Sequence, residues 1–374
     1  NSAGWLRVKA ASCGLSTEEL ESNLQQLLDR VHGGTYRAKP SRRVFIAKTD
    51  GRQRPLGVAS LEDKVLQSVV VEVMNAVYEA DFMGFSYGFR PGRSQHNALD
   101  AVVVGMHVKK VSWVLDADIR GFFDAIDHEW LLRFVEHRIG DKRILRLIRK
   151  WLSAGVMEDG RWQASAKGTP QGATASPLLA NIYLHYVFDI WAHQWRSRKA
   201  RGDMVVVRYA DDIVVGFQYQ EDAERFRQDL TQRLSEFALE LHPDKTRLLE
   251  FGRYAAQNRI RKGLGKPETF DFLGFTHMCG KSRAGRYLVK RKTSRKRLAA
   301  KLVQVREVLM RYRHKPIPEQ GSWLRSVVRG YFNYHAVPLN IASLTRFRWE
   351  ICRIWRRALM RRSQRHRMTW SRFC

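Results

Sequence analysis

An α+β domain followed by a basic, helical C-terminal region is what this sequence predicts, on three observations. Up to about residue 280, segments of helical period are mixed with short β-branched runs. From residue 295 onward only helical signals remain. The charge divides at the same place. The chain holds 66 Lys and Arg against 37 Asp and Glu, a net +29; residues 281–374 hold 26 of those cations and three acids, Glu307, Glu319 and Glu350, which is +23 and leaves +6 for the first 280 residues. A boundary is expected in the Gly/Lys/Arg-rich stretch 280–297.

The elements follow in order. Residues 17–31 read as a helix with Leu20, Leu24, Leu27 and Leu28 on one face. Residues 44–48 read as a short strand closed by an Asp50-Gly51 turn. In residues 61–77, Val65, Leu66, Val69, Val70, Val73 and Val77 recur at helical spacing. Residues 112–119 are strand-like and run through Gly121-Phe122-Phe123 to a helix start near Asp127; residues 141–154 are helical. Pro170 and Gly172 break the chain before Ser176, and Pro177 suits the first turn of a long apolar helix over 178–195. Residues 205–209 and 213–217 are β-branched runs separated by Ala210-Asp211-Asp212, which reads as a hairpin. Residues 221–238 form an amphipathic helix. Three helices fill the region from Arg295, broken near Pro316-Ile317-Pro318 and Pro338.

Composition narrows the function classes. A hydrophobic fraction of 44% supports real cores and excludes a disordered chain. A net +29 makes nucleic acid the leading partner. No apolar run is long enough to span a membrane, no signal segment opens the chain, and no membrane partner is expected. The chain begins at Asn1 rather than Met, which admits a longer parent. Cys13, Cys279, Cys352 and Cys374 lie far apart, so neither a zinc site nor a disulfide framework is expected, and a reducing cytoplasmic setting fits best. The string Gly84-Phe85-Ser86-Tyr87-Gly88 matches the hydrolase G-x-S-x-G pattern, but a Pro-broken basic loop follows it instead of a helix, so Ser86 is not read as a nucleophile. There is no Walker loop.

Two acidic sites carry the chemistry. Asp116 and Asp118 interrupt an apolar strand, and Asp211-Asp212 sits at the tip between two apolar strands. An acid within a β-branched run is costly unless something compensates it. Asp211-Asp212 alone is what a polar turn contains. Strands of one sheet would bring Asp118 and Asp211 together, and a divalent cation would relieve their repulsion. Two such ions suit in-line phosphoryl transfer.

Eight ordered blocks carry a family resemblance. They are Arg54-Pro55-Leu56-Gly57, Ser86-Tyr87-Gly88-Phe89-Arg90-Pro91-Gly92-Arg93-Ser94, Asp118-Ile119-Arg120-Gly121-Phe122-Phe123-Asp124 and Gly168-Thr169-Pro170-Gln171-Gly172. Ser176-Pro177-Leu178-Leu179-Ala180-Asn181, Tyr209-Ala210-Asp211-Asp212, Pro243-Asp244-Lys245-Thr246 and Phe272-Leu273-Gly274-Phe275 complete the set. In order and spacing, from about Tyr36 onward, the chain resembles the reverse transcriptase/maturase proteins encoded by bacterial group II introns. It departs from them at Ser2-Ala3-Gly4-Trp5-Leu6, where a Gly-Val-Asp-Gly turn is usual, and at Ala173-Thr174-Ala175, where Gly-Val-Leu is commoner. No HNH endonuclease segment follows, so target-DNA cleavage is not expected.

The resemblance implies a right-hand polymerase fold: fingers with a partial N-terminal extension over 1–110, palm over 111–280, and a basic helical thumb, or domain X, over 281–374. It implies that Asp118, Asp211 and Asp212 are catalytic carboxylates, that they and the Ile119 carbonyl hold two Mg²⁺ (Mn²⁺ as substitute), and that Asp116 and Asp124 are structural, a strand-end acid and a loop or cap residue. Lys48, Arg54, Gln171 and Lys245 would contact the incoming dNTP. Phe123 would exclude a ribose 2′-hydroxyl, unless it is an ordinary core ring. Arg90 and Arg93 would grip template phosphates and Gly274 the primer end, while Arg353, Arg356 and Arg357 would bind the duplex. The implied function is RNA-directed DNA polymerisation on an RNA template from a DNA or RNA primer, with splicing assistance to group II intron RNA, in a cytoplasmic ribonucleoprotein or at the nucleoid. Alternatives are a domesticated enzyme of phage defence or DNA repair, an RNA-binding maturase without important polymerase activity, and an RNA-directed RNA polymerase, against which Phe123 argues.

Overall fold

The structure, a computed structural model, describes residues 17–47, 53–158, 160–164, 167–169, 172–362 and 369–373. Strands are numbered along the chain as β1 (Ser41–Ala47), β2 (Gln53–Val58), β3 (Trp113–Asp118), β4 (Val156–Glu158), β5 (Arg161–Gln163), β6 (Met204–Tyr209), β7 (Asp212–Phe217), β8 (Arg247–Glu250), β9 (Phe270–Phe272), β10 (Phe275–Lys281) and β11 (Tyr287–Thr293). The chain forms two compact units. One takes Asn1–Ile46, Gln53–Ala80 and Phe123–Tyr183; the other takes Ala47–Arg52, Asp81–Phe122 and Leu184–Cys374. The basic C-terminal helices thus share a unit with the central sheet. Among the described residues, no helix is long and apolar enough to cross a membrane.

The first unit carries a four-stranded sheet of order β2-β1-β4-β5 and the helices Thr17–His32, Leu61–Asp81, His128–Arg138 and Lys142–Ser153. Helix Leu61–Asp81 starts where Ser60 Oγ accepts from the Asp63 amide at 3.2 Å and donates to its carboxylate at 2.7 Å, a reciprocal cap. Asp63 is buried and accepts from the Tyr36 hydroxyl, and Trp151 Nε1 donates to the same hydroxyl at 3.0 Å. Helix His128–Arg138 starts at Asp127, whose carboxylate accepts from the Glu129 and Trp130 amides. The start anticipated near Asp127 is therefore found.

The second unit is built on the sheet β6-β7-β3-β8, antiparallel throughout. Strand β7 is buried from Ile213 to Phe217, because both faces of the sheet are covered. Helix Gln220–Ser235 packs on β3 and β7. Helix Gln95–Val108 packs on β6, close enough that a Cβ on Gly105 would lie 2.6 Å from Val205. Beyond that helix lies a second antiparallel sheet, β11-β10-β9, and one apolar core runs from Leu99 and Val102 through Val114 and Val214 to Phe272 and Phe275.

Two expectations are corrected here. The stretch 280–297, where a boundary was expected, is regular structure: β10 and β11 pair from Phe275 opposite Thr293 to Lys281 opposite Tyr287, with Lys292 exposed and Arg291 buried against Asp100 at 2.7 Å. The helix expected over 178–195 runs as Ser176–Leu184, one π turn at His185–Asp189, and Ile190–Arg198. The three C-terminal helices appear as Arg295–Arg311, Ile317–His335 and Ile341–Met360, around their own core of Val305, Leu309, Tyr331, Phe347 and Ile351. Cys279 and Cys352 are free thiols.

Candidate active site

Antiparallel pairing of β3 with β7 sets Asp118 directly opposite Asp212. Directly opposed residues share a sheet face, with Cβ atoms about 5 Å apart. Asp116, two residues back on β3, lies on that same face because strand side chains alternate. Tyr209 pairs with Asp212 across the hairpin, so Ala210 and Asp211 are its two turn residues. The sheet therefore gathers four acids, Asp116, Asp118, Asp211 and Asp212, at one end of three strands.

Local forces shape the turn. Ala210 stands at φ 55°, a conformation costly for a residue with a Cβ. Its carbonyl accepts from Arg208 Nη1 at 3.1 Å, and the rest of that guanidinium is clamped by Asp189. The loop after Asp81 also closes on the turn. Tyr87 N donates to Arg208 O and Arg208 N to Phe85 O, each at 2.9 Å, and a Cβ on Gly88 would lie 2.4 Å from the Ala210 amide nitrogen. That clash explains glycine in the Ser86–Ser94 block. Ser86 in the same block is fully buried.

The electrostatics are those of crowded carboxylates. Lys245 Nζ donates to Asp118 Oδ2 at 2.6 Å. Asp116 pairs with Arg247, its neighbour on β8, at 3.6 Å. Burial pushes the Asp116 carboxyl up to about 6 against the pull of Arg247, with Asp271 and Asp118 adding repulsion. Asp212 is pushed up to about 7, first by loss of hydration among the surrounding protein atoms and then by Asp211, Asp118 and Asp116, with Arg297 opposing. The Asp212 side chain is solvent-accessible, so this crowding is met at the surface and an ion from solution can reach it. Among the described residues no three His, Cys, Asp or Glu side chains already converge as a metal cage. The donor set nevertheless fits a hard divalent cation: crowded carboxylate oxygens, one of them driven toward protonation by lost hydration and then by its acidic neighbours.

Ile119 continues the strand as a buried bridge to Leu241. The bonds of that bridge run from His242 N to Asp118 O and from Arg120 N to Glu240 O, so they do not engage the Ile119 carbonyl. Phe123 lies in the short helix Phe122–Ala125; it is 9% exposed and Phe122 2%, so both rings are largely buried. Lys48 and Gln171 lie outside the described residues, and of Arg54 only the main chain, in β2, is described.

Arg90 requires a correction. It is buried; its guanidinium donates to the carbonyls of Met83 and Ser86, each at 2.8 Å, and lies over the Phe82 ring. It holds the loop together from inside and is not presented to a phosphate. Arg93 is half-buried, donating to Gly84 O at 2.6 Å with its guanidinium over Tyr87. Asp116 also differs from the expectation: it lies within β3, not at its end. Asp124 lies in the short helix after β3.

Leu273 and Gly274 form the two-residue turn between β9 and β10, with φ 48° and 84°, as a type I′ hairpin turn needs. Gly274 O accepts from Ser294 N at 3.0 Å and Leu273 O from the Tyr334 hydroxyl at 2.9 Å. The turn expected at the primer end is thus tied to the C-terminal helices. Arg353 pairs with Glu350 at 2.7 Å and covers Trp349; Arg356 covers Trp370; Arg357 is exposed.

Sequence reasoning passed over Asp189, Arg208 and Arg247. Arg208, the residue directly before Tyr209 on β6, was the one with a visible signal: a cation inside an apolar strand demands a buried partner.

A reverse transcriptase (RNA-dependent DNA polymerase) family model matches residues 46–277. Protein YkfC of Escherichia coli (strain K12) is 39% identical over 188 residues, 49% of this chain and 49% of that protein. The group II intron-encoded protein LtrA of Lactococcus lactis subsp. cremoris is 40% identical over 173 residues, 46% of this chain and 28% of that protein. The chain spans about half the length of the first of these curated relatives and less of the second. A telomerase structure from Candida albicans, in complex with a fragment of telomeric RNA, covers 92% of this chain and 63% of its own at a TM-score of 0.49 and 12% identity, too distant to add to the assignment. The relatives agree with the resemblance carried by the eight sequence blocks, and on a match over more than half its length the chain belongs to the reverse transcriptase family.

Proposed function

We propose that this chain is an RNA-directed DNA polymerase of the group II intron type, extending a primer 3′-hydroxyl with deoxynucleotides on an RNA template. The observation that carries the reading is Asp118 opposite Asp212, with Asp211 in the adjoining turn, in a chain of this family. Polymerases of the family use divalent metal ions. Our finer reading is two Mg²⁺ held by Asp118, Asp211, Asp212 and the Ile119 carbonyl; they would acidify the primer hydroxyl and neutralise the leaving pyrophosphate. The remaining work falls to the chain itself. Asp118 at the end of β3 and Asp211 in the β6–β7 turn offer their carboxylate oxygens as acceptors. Lys245, already a donor at Asp118, is a mobile ammonium at the carboxylates, suited to phosphate oxygens. Phe123 excludes the 2′-hydroxyl, and the Leu273-Gly274 turn holds the primer end. The C-terminal segment of +23 supplies phosphate contacts along the duplex. Its charge and the group II relative favour a second role on intron RNA.

The test is primer extension on an RNA template with dNTPs and Mg²⁺, run beside duplex binding. Asp118→Ala and Asp211→Ala should each abolish extension and leave binding intact. Extension by either variant at a rate near that of the unsubstituted protein would refute the assignment.

A further inference from the structure

The second unit holds a concave site of about 590 Å³ far from the carboxylates, its wall including His107, Arg253, Tyr254, Lys281, Arg286 and Tyr287. The strand register gives its place. On β3, Asp118 faces Asp212 at one end and Trp113 faces Glu250 on β8 at the other. Those ends are roughly 17 Å apart at about 3.3 Å per residue. The chain leaves β8 past the Trp113 end, through Phe251, directly into Gly252 on the wall of this pocket.

Its charge is one-sided. The lining contains no Asp or Glu. Nearby cations of the same segment are neutralised, Lys262 by Glu250 and Arg259 by Glu268. No carboxylate pairs with Arg253, Lys281 or Arg286 among the described residues, and all three are exposed. Beside them stand flat faces: Tyr254 is 55% exposed, and the His107 and Tyr287 rings are parallel to within 8°. The wall is also firm. Gly252, at φ 146°, has room for no side chain, since a Cβ there would lie 2.1 Å from Val111 O, and its amide donates to Cys279 Sγ.

Three unpaired cations alone would suit any anion. The aromatic faces and a volume well above that of a phosphate select an anion that carries a flat ring. We propose that this pocket takes an unpaired nucleotide of a single-stranded nucleic acid, stacking its base on Tyr254 and setting its phosphates among Arg253, Lys281 and Arg286. An acidic peptide offers the charge but no ring. The site would anchor a strand segment away from the polymerising end of the sheet, and it stands whether or not the carboxylates polymerise.

The test uses the full chain, first saturated with unlabelled RNA–DNA primer–template to occupy the duplex surface. Fluorescent rU8 and dT8 are then titrated over a series of salt concentrations, with octaglutamate as competitor. Compared are the unsubstituted protein, Arg253→Gln with Arg286→Gln, and Tyr254→Ala, all exposed positions. The double variant should lower the salt slope by about 1.4, at about 0.7 per single-strand phosphate contact. Tyr254→Ala should weaken binding about fivefold or more at an unchanged slope. Tighter rU8 identifies RNA as the source of the nucleotide, and tighter dT8 identifies DNA. Unchanged affinity and slope in both variants would overturn the proposal. So would displacement of the oligonucleotide by octaglutamate together with indifference to Tyr254→Ala, which marks a surface for acidic protein.

Discussion

Arg208 and Asp189 form a fully buried two-point ion pair, Nε to Oδ1 at 2.7 Å and Nη2 to Oδ2 at 2.5 Å, and the remaining Nη1 donates to the carbonyl of Ala210. Asp189 ends a π turn, a helix irregularity that recurs at functional sites. Arg208 lies two residues before Ala210, the strained residue of the turn that carries Asp211. The pair is thus a bracket between the helix and the acidic turn.

Removing one member strands a buried charge, so Asp189→Ala should cost about 3–5 kcal/mol in urea unfolding. The double variant Arg208→Met with Asp189→Leu replaces the pair by apolar groups and should recover most of that loss. It leaves the Ala210 carbonyl without the Nη1 donor. Primer extension should therefore stay well below that of the unsubstituted protein although stability returns. Recovery of both together would show that the guanidinium merely neutralises Asp189 and does not position the turn.

Phe123 poses a cleaner choice now that its ring is known to be mostly covered. Phe123→Val removes packed volume and should lower stability by a few kcal/mol whatever its role. The informative quantity is the ratio of ribonucleotide to deoxynucleotide incorporation, which cancels a general loss. A steric gate acts by clash, so the ratio should rise severalfold. If total incorporation falls at a constant ratio, Phe123 is a core ring alone.

Much of this was legible in the sequence, because the signals were local. The β-branched runs around Ala210-Asp211-Asp212 gave the hairpin, and the Pro316 and Pro338 breaks gave the three final helices. Helix Gln95–Val108 was passed over although Ser94 and Asn97 form a reciprocal cap, since its Val-rich stretch with Gly105 shows little periodicity. The strand Tyr287–Thr293 within the stretch 280–297, where a boundary was expected, was not read, because Lys290, Arg291 and Lys292 follow one another and hide any apolar alternation. Asp116 could have been placed beside Asp118 from strand period alone. What no local pattern holds is pairing at a distance. Lys245 meets Asp118 across 127 positions, and Arg90, on a basic loop, turns inward to carbonyls that only the folded loop brings near it.

His277 should weaken the fold in mild acid. It is fully buried and stacked on Phe270 at 4.8 Å. Burial, then the charge of Arg291, push it down to about 3; burial and Arg297 push His335 down to about 4. Both folded values lie below the ordinary 6.5. At these two imidazoles the unfolded chain takes up protons that the folded one refuses, so their contribution is full above pH 6.5 and declines below it, while the raised Asp116 and Asp212 carboxyls contribute the opposite slope. At about 1.4 kcal/mol per pH unit, His277 alone should cost roughly 2 kcal/mol at pH 5. His277→Phe keeps the stacked ring and should shrink the loss between pH 7.5 and 5 by about that amount in denaturant unfolding. An identical pH dependence in the variant would sink this account.

The +23 of the C-terminal segment is not uniformly available to phosphate. Arg353 is held by Glu350 at 2.7 Å, so its charge is already answered within its own helix. Arg357 is exposed and lines a groove with Arg306 and Arg361 between helices Arg295–Arg311 and Ile341–Met360, and no carboxylate pairs with it among the described residues. The three arginines are therefore unequal, and substitution resolves them. Gln keeps the helix and much of the side-chain length while deleting charge. Affinity for an RNA–DNA primer–template should fall log-linearly with salt, by about 0.9 per phosphate contact on a duplex. Arg357→Gln should lower that slope by close to one contact, Arg353→Gln by much less, because it leaves Glu350 to repel the same phosphates without changing the count of bound counterions as strongly. Weakening should be alike across sequences, since phosphates carry no base identity. Equal slopes for Arg357→Gln and the unsubstituted protein would remove this groove from the duplex surface and turn attention to the outward cations of the β10–β11 hairpin, Lys290 and Lys292.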